Sequence, residues 1–137
     1  MKLSKTAEYA IRVMCHLAQD HVKIYSVYQL HKQLKIPYKY LGKLMHNLAE
    51  AHLLEPSQGK QGGYRLARKD SRIYLYEIIG VVEGLDDYQR CILGFAECSN
   101  ENPCALHTHW LQLREKMQDL VYNVSLAELR ETTKNKR

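Results

Sequence analysis

Three cysteines and a histidine, Cys91, Cys98, Cys104 and His107, follow one another at intervals of seven, six and three residues in a 137-residue chain. The gaps are too wide for a C-x-x-C zinc knuckle, yet short enough for one loop to fold thiolates around a single centre. Three chemistries suit such a set: a zinc site, a redox-active dithiol, or an iron-sulfur centre, where His can replace Cys and raise the reduction potential. Gly94 and Asn100 help the loop to turn. Cys104 is expected to open a long helix, where the positive end of the helix dipole favours a thiolate. His107, three residues on, then faces the same side. The fourth cysteine, Cys15, stands between Met14 and Leu17 on an apolar helix face and reads as a core residue.

The elements that must hold this loop belong to a chain long enough to bury a core without disulfide staples. Its N-terminus has scattered charges and no apolar run suited to a signal peptide or a membrane span, so a cytoplasmic protein with no membrane partner is expected. Clustered thiols in that compartment serve metals or redox chemistry. The net charge of +5 is unevenly divided: residues 1–72 carry 13 Lys and Arg against 5 Asp and Glu, residues 73–137 carry 7 against 10. A basic first half suits a polyanion, nucleic acid above all, and the acidic second half has a different task.

Periodicity gives the first half its shape. After Ser4, a suitable N-cap, Ala7, Ala10, Ile11, Met14, Leu17 and Ala18 recur at helical spacing to about residue 19. Ser26 caps a second, short helix to residue 35, with Leu30 and Leu34 inward. Pro37 disfavours helix at Ile36 and suits the first turn of a third helix, whose stripe is Leu41, Leu44, Met45, Leu48 and Leu53. That leaves Tyr38, Lys39, Lys43, His46 and Asn47 on the other face. Helix, tight turn and helix describe a helix-turn-helix whose second member lies in a major groove. Residues 53–58 and 63–67 flank a tip with Gly59, Gly62 and Gly63 and read as a β-hairpin, which makes a winged helix. Lys60, Arg65, Arg68 and Lys69 are placed to meet phosphates or a minor groove.

A short apolar helix over residues 75–83 packs the wing back on the core. Beyond the cysteine loop, Leu106, Trp110, Leu113, Met117, Leu120 and Val124 are spaced four, three, four, three, four, a heptad seam suited to a second copy of the chain. The fold expected is mainly α with a small β wing: a winged helix-turn-helix domain over 1–83, a cysteine-bearing cluster loop over 84–104, a dimerisation helix and short C-terminal helix over 105–131, and a disordered tail over 132–137. No catalytic triad, phosphate-binding Gly loop or paired carboxylates occur, which argues against an enzyme or an electron carrier.

The stretches MKLSKTAEYAIRVMCHLA, YLGKLMHNLAEAHLLEPSQGKQGGYRLAR and CALHTHWLQL together resemble the Rrf-type winged-helix regulators, the family of the iron-sulfur regulator IscR and the nitric-oxide sensor NsrR. The resemblance covers nearly the whole chain. It implies a homodimeric bacterial transcription factor, often a repressor, that binds a palindromic operator in duplex DNA and carries an iron-sulfur cluster in the loop before the dimer helix. His107 matches the position of the IscR-type ligand, which joins three cysteines on a 2Fe-2S cluster. Glu8 stands where the NsrR type supplies a carboxylate from the partner subunit to a 4Fe-4S cluster, and the Cys91 to Cys98 interval is one residue longer than the usual IscR pattern. Within the resemblance we favour His107 and a 2Fe-2S cluster, with Glu8 and 4Fe-4S as the alternative. Some relatives lack the cysteines, and a cluster-free regulator that senses thiol oxidation stays open beside the cluster reading.

Overall fold

The computed structural model describes residues 3–85, 90–96 and 99–133. Among the described residues, six helices and one two-stranded sheet follow in the order α1 (Lys5–Leu17), α2 (Val27–Leu34), α3 (Tyr38–Glu50), β1 (Leu54–Ser57), β2 (Gly63–Leu66), a 3-10 turn (Asp70–Arg72), α4 (Leu75–Val82), α5 (His107–Asn123) and α6 (Leu126–Thr133). It is a mainly helical fold with a small wing.

Local chemistry sets the boundaries of the first three helices. Ser4 Oγ accepts the Ala7 N–H at 3.1 Å and so starts α1. Ser26 and Gln29 form a reciprocal capping box at the start of α2, each side chain accepting the other's backbone N–H at 3.1 and 3.0 Å. Such caps stabilise a helix by about 1 kcal/mol. Lys35 ends α2 in the left-handed conformation, φ 58°, and its N–H returns to His31 O. Two residues later Pro37 is the N-cap of α3. Leu30, Ile36, Leu41, Met45 and Leu48 are fully buried, and each contributes roughly 1.5 to 3 kcal/mol through burial. Leu53 does not continue the α3 stripe as expected: α3 stops at Glu50, and His52 at φ 62° turns the chain so that Leu53 enters the core from the following loop.

The wing strands pair antiparallel, Leu54 opposite Leu66 and Ser57 opposite Gly63. A third segment joins them, because Tyr25 and Tyr64 exchange backbone hydrogen bonds of 2.9 and 2.8 Å. Gly63 permits this approach: a Cβ there would stand 2.2 Å from Tyr25 O. The wing is therefore bonded to the segment that leads into α2, and wing and helix-turn-helix form one reading head.

The C-terminal limb returns to that head. Leu75 N–H donates to Val124 O at 3.0 Å and Leu126 N–H to Ile73 O at 2.7 Å, on either side of the Tyr74–Ser125 bridge. A second capping box, Ser125 with Glu128, starts α6. That helix includes Thr132 and Thr133, which composition alone assigns to the tail; residues 134–137 lie outside the described residues. The 17 residues of α5 span about 25 Å at 1.5 Å each. His107, Trp110 and Val121 are buried along it, whereas Leu106 beside its start and Leu113 and Leu120 on it are 41, 54 and 57% exposed.

Candidate DNA-reading face and cysteine-lined cavity

On α3, Leu41, Leu44, Met45 and Leu48 face the core, and Lys39, Lys43 and His46 are exposed on the other side, with Tyr38 at the entry of the helix. Lys43 stands toward one margin of this face, lining a cleft of about 260 Å³ with Thr6, Tyr40 and Asn47. His46 Nε2 is 3.8 Å from the Glu50 carboxylate, an exposed contact of little energetic weight. Lys60 rises at the wing tip beside a cleft of about 530 Å³ that also includes Ser26 and Gln29 at the start of α2.

Two of the wing arginines are already engaged. Arg65 pairs at 3.1 Å with Glu55, its register partner across the hairpin. Arg68 pairs at 2.7 Å with Glu77 and donates to Arg72 O, so it braces α4 against the base of the wing. The face also holds Tyr28, which the basic pattern does not single out; it is 59% exposed on α2 with Lys32 Nζ 5.4 Å from its ring centre. Tyr28, His31 and Tyr38 form an aromatic row across the turn, with ring centres 6.3 and 5.8 Å apart. The (i, i+4) spacing of Tyr28 and Lys32 is the signal in the sequence that marks this pair.

Behind the reading head, Cys91, Cys104 and His107 line one cavity of about 620 Å³, together with Leu93, Phe95 and Pro103. Cys91 and His107 are buried. Gly94, at φ 81°, turns the chain so that its N–H reaches Cys91 O at 3.0 Å. In this tight turn the Leu93 N–H, followed by that of Phe95, holds the Cys91 thiol below the usual cysteine range, with smaller contributions from Cys104 and the Gly94 N–H against the opposing effect of burial. Trp110 Nε1–H donates to Arg90 O at 2.8 Å and ties the foot of the loop to α5.

Cys104 does not open the long helix. It precedes α5 by three residues in a turn closed by the His107 N–H to Cys104 O bond at 3.1 Å, so the helix dipole does not act on it from a first-turn position. His107 Nε2–H donates to Asn100 Oδ1 at 2.8 Å. Cys98 lies outside the described residues, and among those described no three His, Cys, Asp or Glu side chains converge on one metal-sized point. Glu8, in the first turn of α1, is 3.7 Å from Lys5 Nζ and is not among the residues of this cavity. Cys15 is packed in the main core, as its place on α1 implied.

Donor chemistry fits an iron-sulfur cluster: a thiol biased toward thiolate, a second thiol beside it and a buried imidazole share one cavity.

A winged helix-turn-helix with exposed lysines on its reading face, followed by a cysteine-lined module on a long helix, defines a DNA-binding regulator. The chain belongs to the Rrf2 family of iron-dependent transcriptional regulators, whose profile matches residues 3–132. Its relatives are regulators of transcription, not enzymes. It is 30% identical over 131 residues to a chain of Aquifex aeolicus (strain VF5) classed as an HTH-type transcriptional regulator, covering 94% of this chain and 91% of that one. It is 29% identical over 133 residues to the HTH-type transcriptional regulator IscR of Vibrio campbellii, covering 94% and 77%. Among solved structures, CymR, the global cysteine regulator of B. subtilis, shares the fold with a TM-score of 0.79 at 23% identity over 96% of this chain and 97% of that one. The oxidized form of Staphylococcus aureus CymR aligns with a TM-score of 0.75 at 26% identity over 96% and 97%. No described helix is long and apolar enough to cross a membrane.

Proposed function

We propose that this regulator binds a palindromic operator as a homodimer and represses from it, in a manner set by an iron-sulfur cluster that Cys91, Cys98, Cys104 and His107 would hold. The observation that carries the reading is the sharing of one cavity by two thiols and an imidazole at the foot of α5. When bound, the cluster would supply thiolate-ligated iron whose charge and oxidation state follow the iron or oxidant supply of the cell. The chain's own residues do the rest. Backbone N–H groups hold Cys91 ready as a soft ligand, Asn100 orients His107, and Trp110 fastens the loop to α5. Leu106, Leu113 and Leu120, with Met117 partly covered between them, offer the face for the second copy. Trp110 underlies that seam from within its own chain. On DNA, α3 would enter the major groove with Lys43 toward a base edge, Lys39 and Lys60 on phosphates, and Tyr38, His46 and Arg65 around them.

A second reading has its own support. Cys104 lines the same cavity as Cys91 and acts on its thiol, as suits a regulator in which thiol oxidation without a cluster is the signal. A solved structure of similar fold, S. aureus CymR, is described as an oxidized form.

Anaerobic purification separates the two. Broad visible absorption with acid-labile sulfide supports the cluster, and colourless protein that titrates as reactive thiols supports the second reading.

A further inference from the structure

Asp70 is 5% exposed in the 3-10 turn that follows β2. Its Oδ2 lies 3.1 Å from Arg130 Nε on α6 and 3.5 Å from His21 Nε2 in the loop after α1. The arginine contact is off-line for a hydrogen bond, so it is an ion pair more than a directed bond, and Arg130 also reaches Glu131 at 3.0 Å. Three elements thus meet on one buried carboxylate, and they belong to two parts of the molecule. The loop of His21 runs on to Tyr25, which is bonded to the wing, and the turn of Asp70 is the base of that wing. Arg130 belongs to the limb that contains α5.

Around this point the limb is joined to the head by backbone bonds at Ile73, Leu75, Val124 and Leu126 and by the apolar packing of Val121, Leu126 and Leu129 against the core. Peripheral backbone bonds and non-directional apolar contacts tolerate small rotations. A buried carboxylate tolerates much less, because losing its cation leaves an uncompensated charge out of water. We infer that the Asp70–Arg130 pair is the joint that fixes the angle between reading head and α5, and that Asp70 and Arg130 are therefore positioning residues for the spacing of the two half-sites a dimer accepts. The inference rests on the dimeric DNA-binding reading above. It concerns spacing and leaves base preference within a half-site untouched, since one base pair displaces a half-site by about 3.4 Å and rotates it by about 35°.

The test uses half-sites selected from random duplexes with the wild-type protein. They are rejoined at the selected spacing and at spacings one and two base pairs longer or shorter. Binding is measured for wild type, Arg130→Gln, Arg130→Lys and Asp70→Asn, with thermal unfolding and sedimentation alongside. Wild type should lose about tenfold or more in affinity on a two-base-pair shift, and Arg130→Gln and Asp70→Asn less than about threefold. Arg130→Lys should restore most of the discrimination, and all four should bind a single half-site within about twofold of one another. If Arg130→Gln fails to fold, Asp70→Asn, equal in volume and without charge, is held to the same limits. Wild-type protein indifferent to spacing would overturn the dimeric reading and this inference with it. Selective wild type with equally selective variants would overturn the joint alone.

Discussion

His107 Nε2 lies 2.8 Å from Asn100 Oδ1, and since a carboxamide oxygen only accepts, the imidazole carries its proton on that nitrogen. A histidine whose proton is held by a neighbour has a fixed ring orientation and leaves the other nitrogen as the ligand, the arrangement common around bound metals. His107→Ala should therefore leave the cluster labile, and His107→Cys should retain one of lower potential. Asn100→Ala should weaken cluster retention by about 10- to 100-fold. Visible absorption after anaerobic gel filtration reads all three. Glu8→Gln should have little effect; if it strips or converts the cluster while His107→Ala does not, the fourth ligand is the carboxylate from the partner subunit.

Each thiol of the loop should matter by itself. Replacing Cys91, Cys98 or Cys104 by Ser removes a soft thiolate that iron prefers, so iron and sulfide content should fall together in each variant. Cys15→Ser should keep full cluster content, because Cys15 is packed in the core. Equal cluster content in all four variants would sink the proposed ligand set.

The DNA face separates into two kinds of residue. Lys39→Ala and Lys60→Ala should weaken every duplex alike, and each should reduce the salt slope by about one for every phosphate it no longer neutralises. Lys43→Ala should relax preference at one half-site position by roughly 1 to 3 kcal/mol. Arg68→Ala should lower thermal stability rather than the salt slope, because its guanidinium is engaged with Glu77. Binding isotherms at several salt concentrations decide between these outcomes.

Leu113→Ser combined with Leu120→Ser should give a folded monomer that binds a single half-site and loses cooperative binding to a full site. Both side chains are more than half exposed in the single chain, so their replacement costs the fold little. A double variant still dimeric by sedimentation would place the interface elsewhere.

Gly63→Ala should destabilise the wing by about 1 to 3 kcal/mol, because the added methyl meets the Tyr25 carbonyl and overpacked backbone must shift. Amide hydrogen exchange at Tyr25 and Tyr64 should rise in the variant. Unchanged protection at both would show that the wing does not depend on this approach.

The reading head is legible in the sequence because its signals are local. Ser4, Ser26 with Gln29, Pro37 and Gly62 each act within a few residues of themselves, and helical periodicity sorts Leu30, Leu41 and Met45 inward. The Ser125–Glu128 box has the same local form and is equally open to sequence reasoning. Cys104 is misplaced by periodicity because heptad spacing runs back through Leu106, whereas the helix begins only after the turn that His107 closes on Cys104. Trp110 sits in the same heptad, yet its indole reaches Arg90, twenty residues earlier, and no periodicity can show that it turns inward. The meeting of His21, Asp70 and Arg130 spans more than a hundred residues and is a product of the tertiary fold alone.

The exposed leucines at 106, 113 and 120 also bear on how much of this protein a cell must make. If copies pair along this stripe as proposed above, the regulator reads its own abundance. Below the concentration at which copies pair, operator occupancy rises with the square of the amount present, so halving expression lowers occupancy about fourfold. Control of the genes it binds would then be steep without any further cooperative element on the DNA, and a dominant-negative partner that pairs but cannot touch DNA would silence far more than its own share.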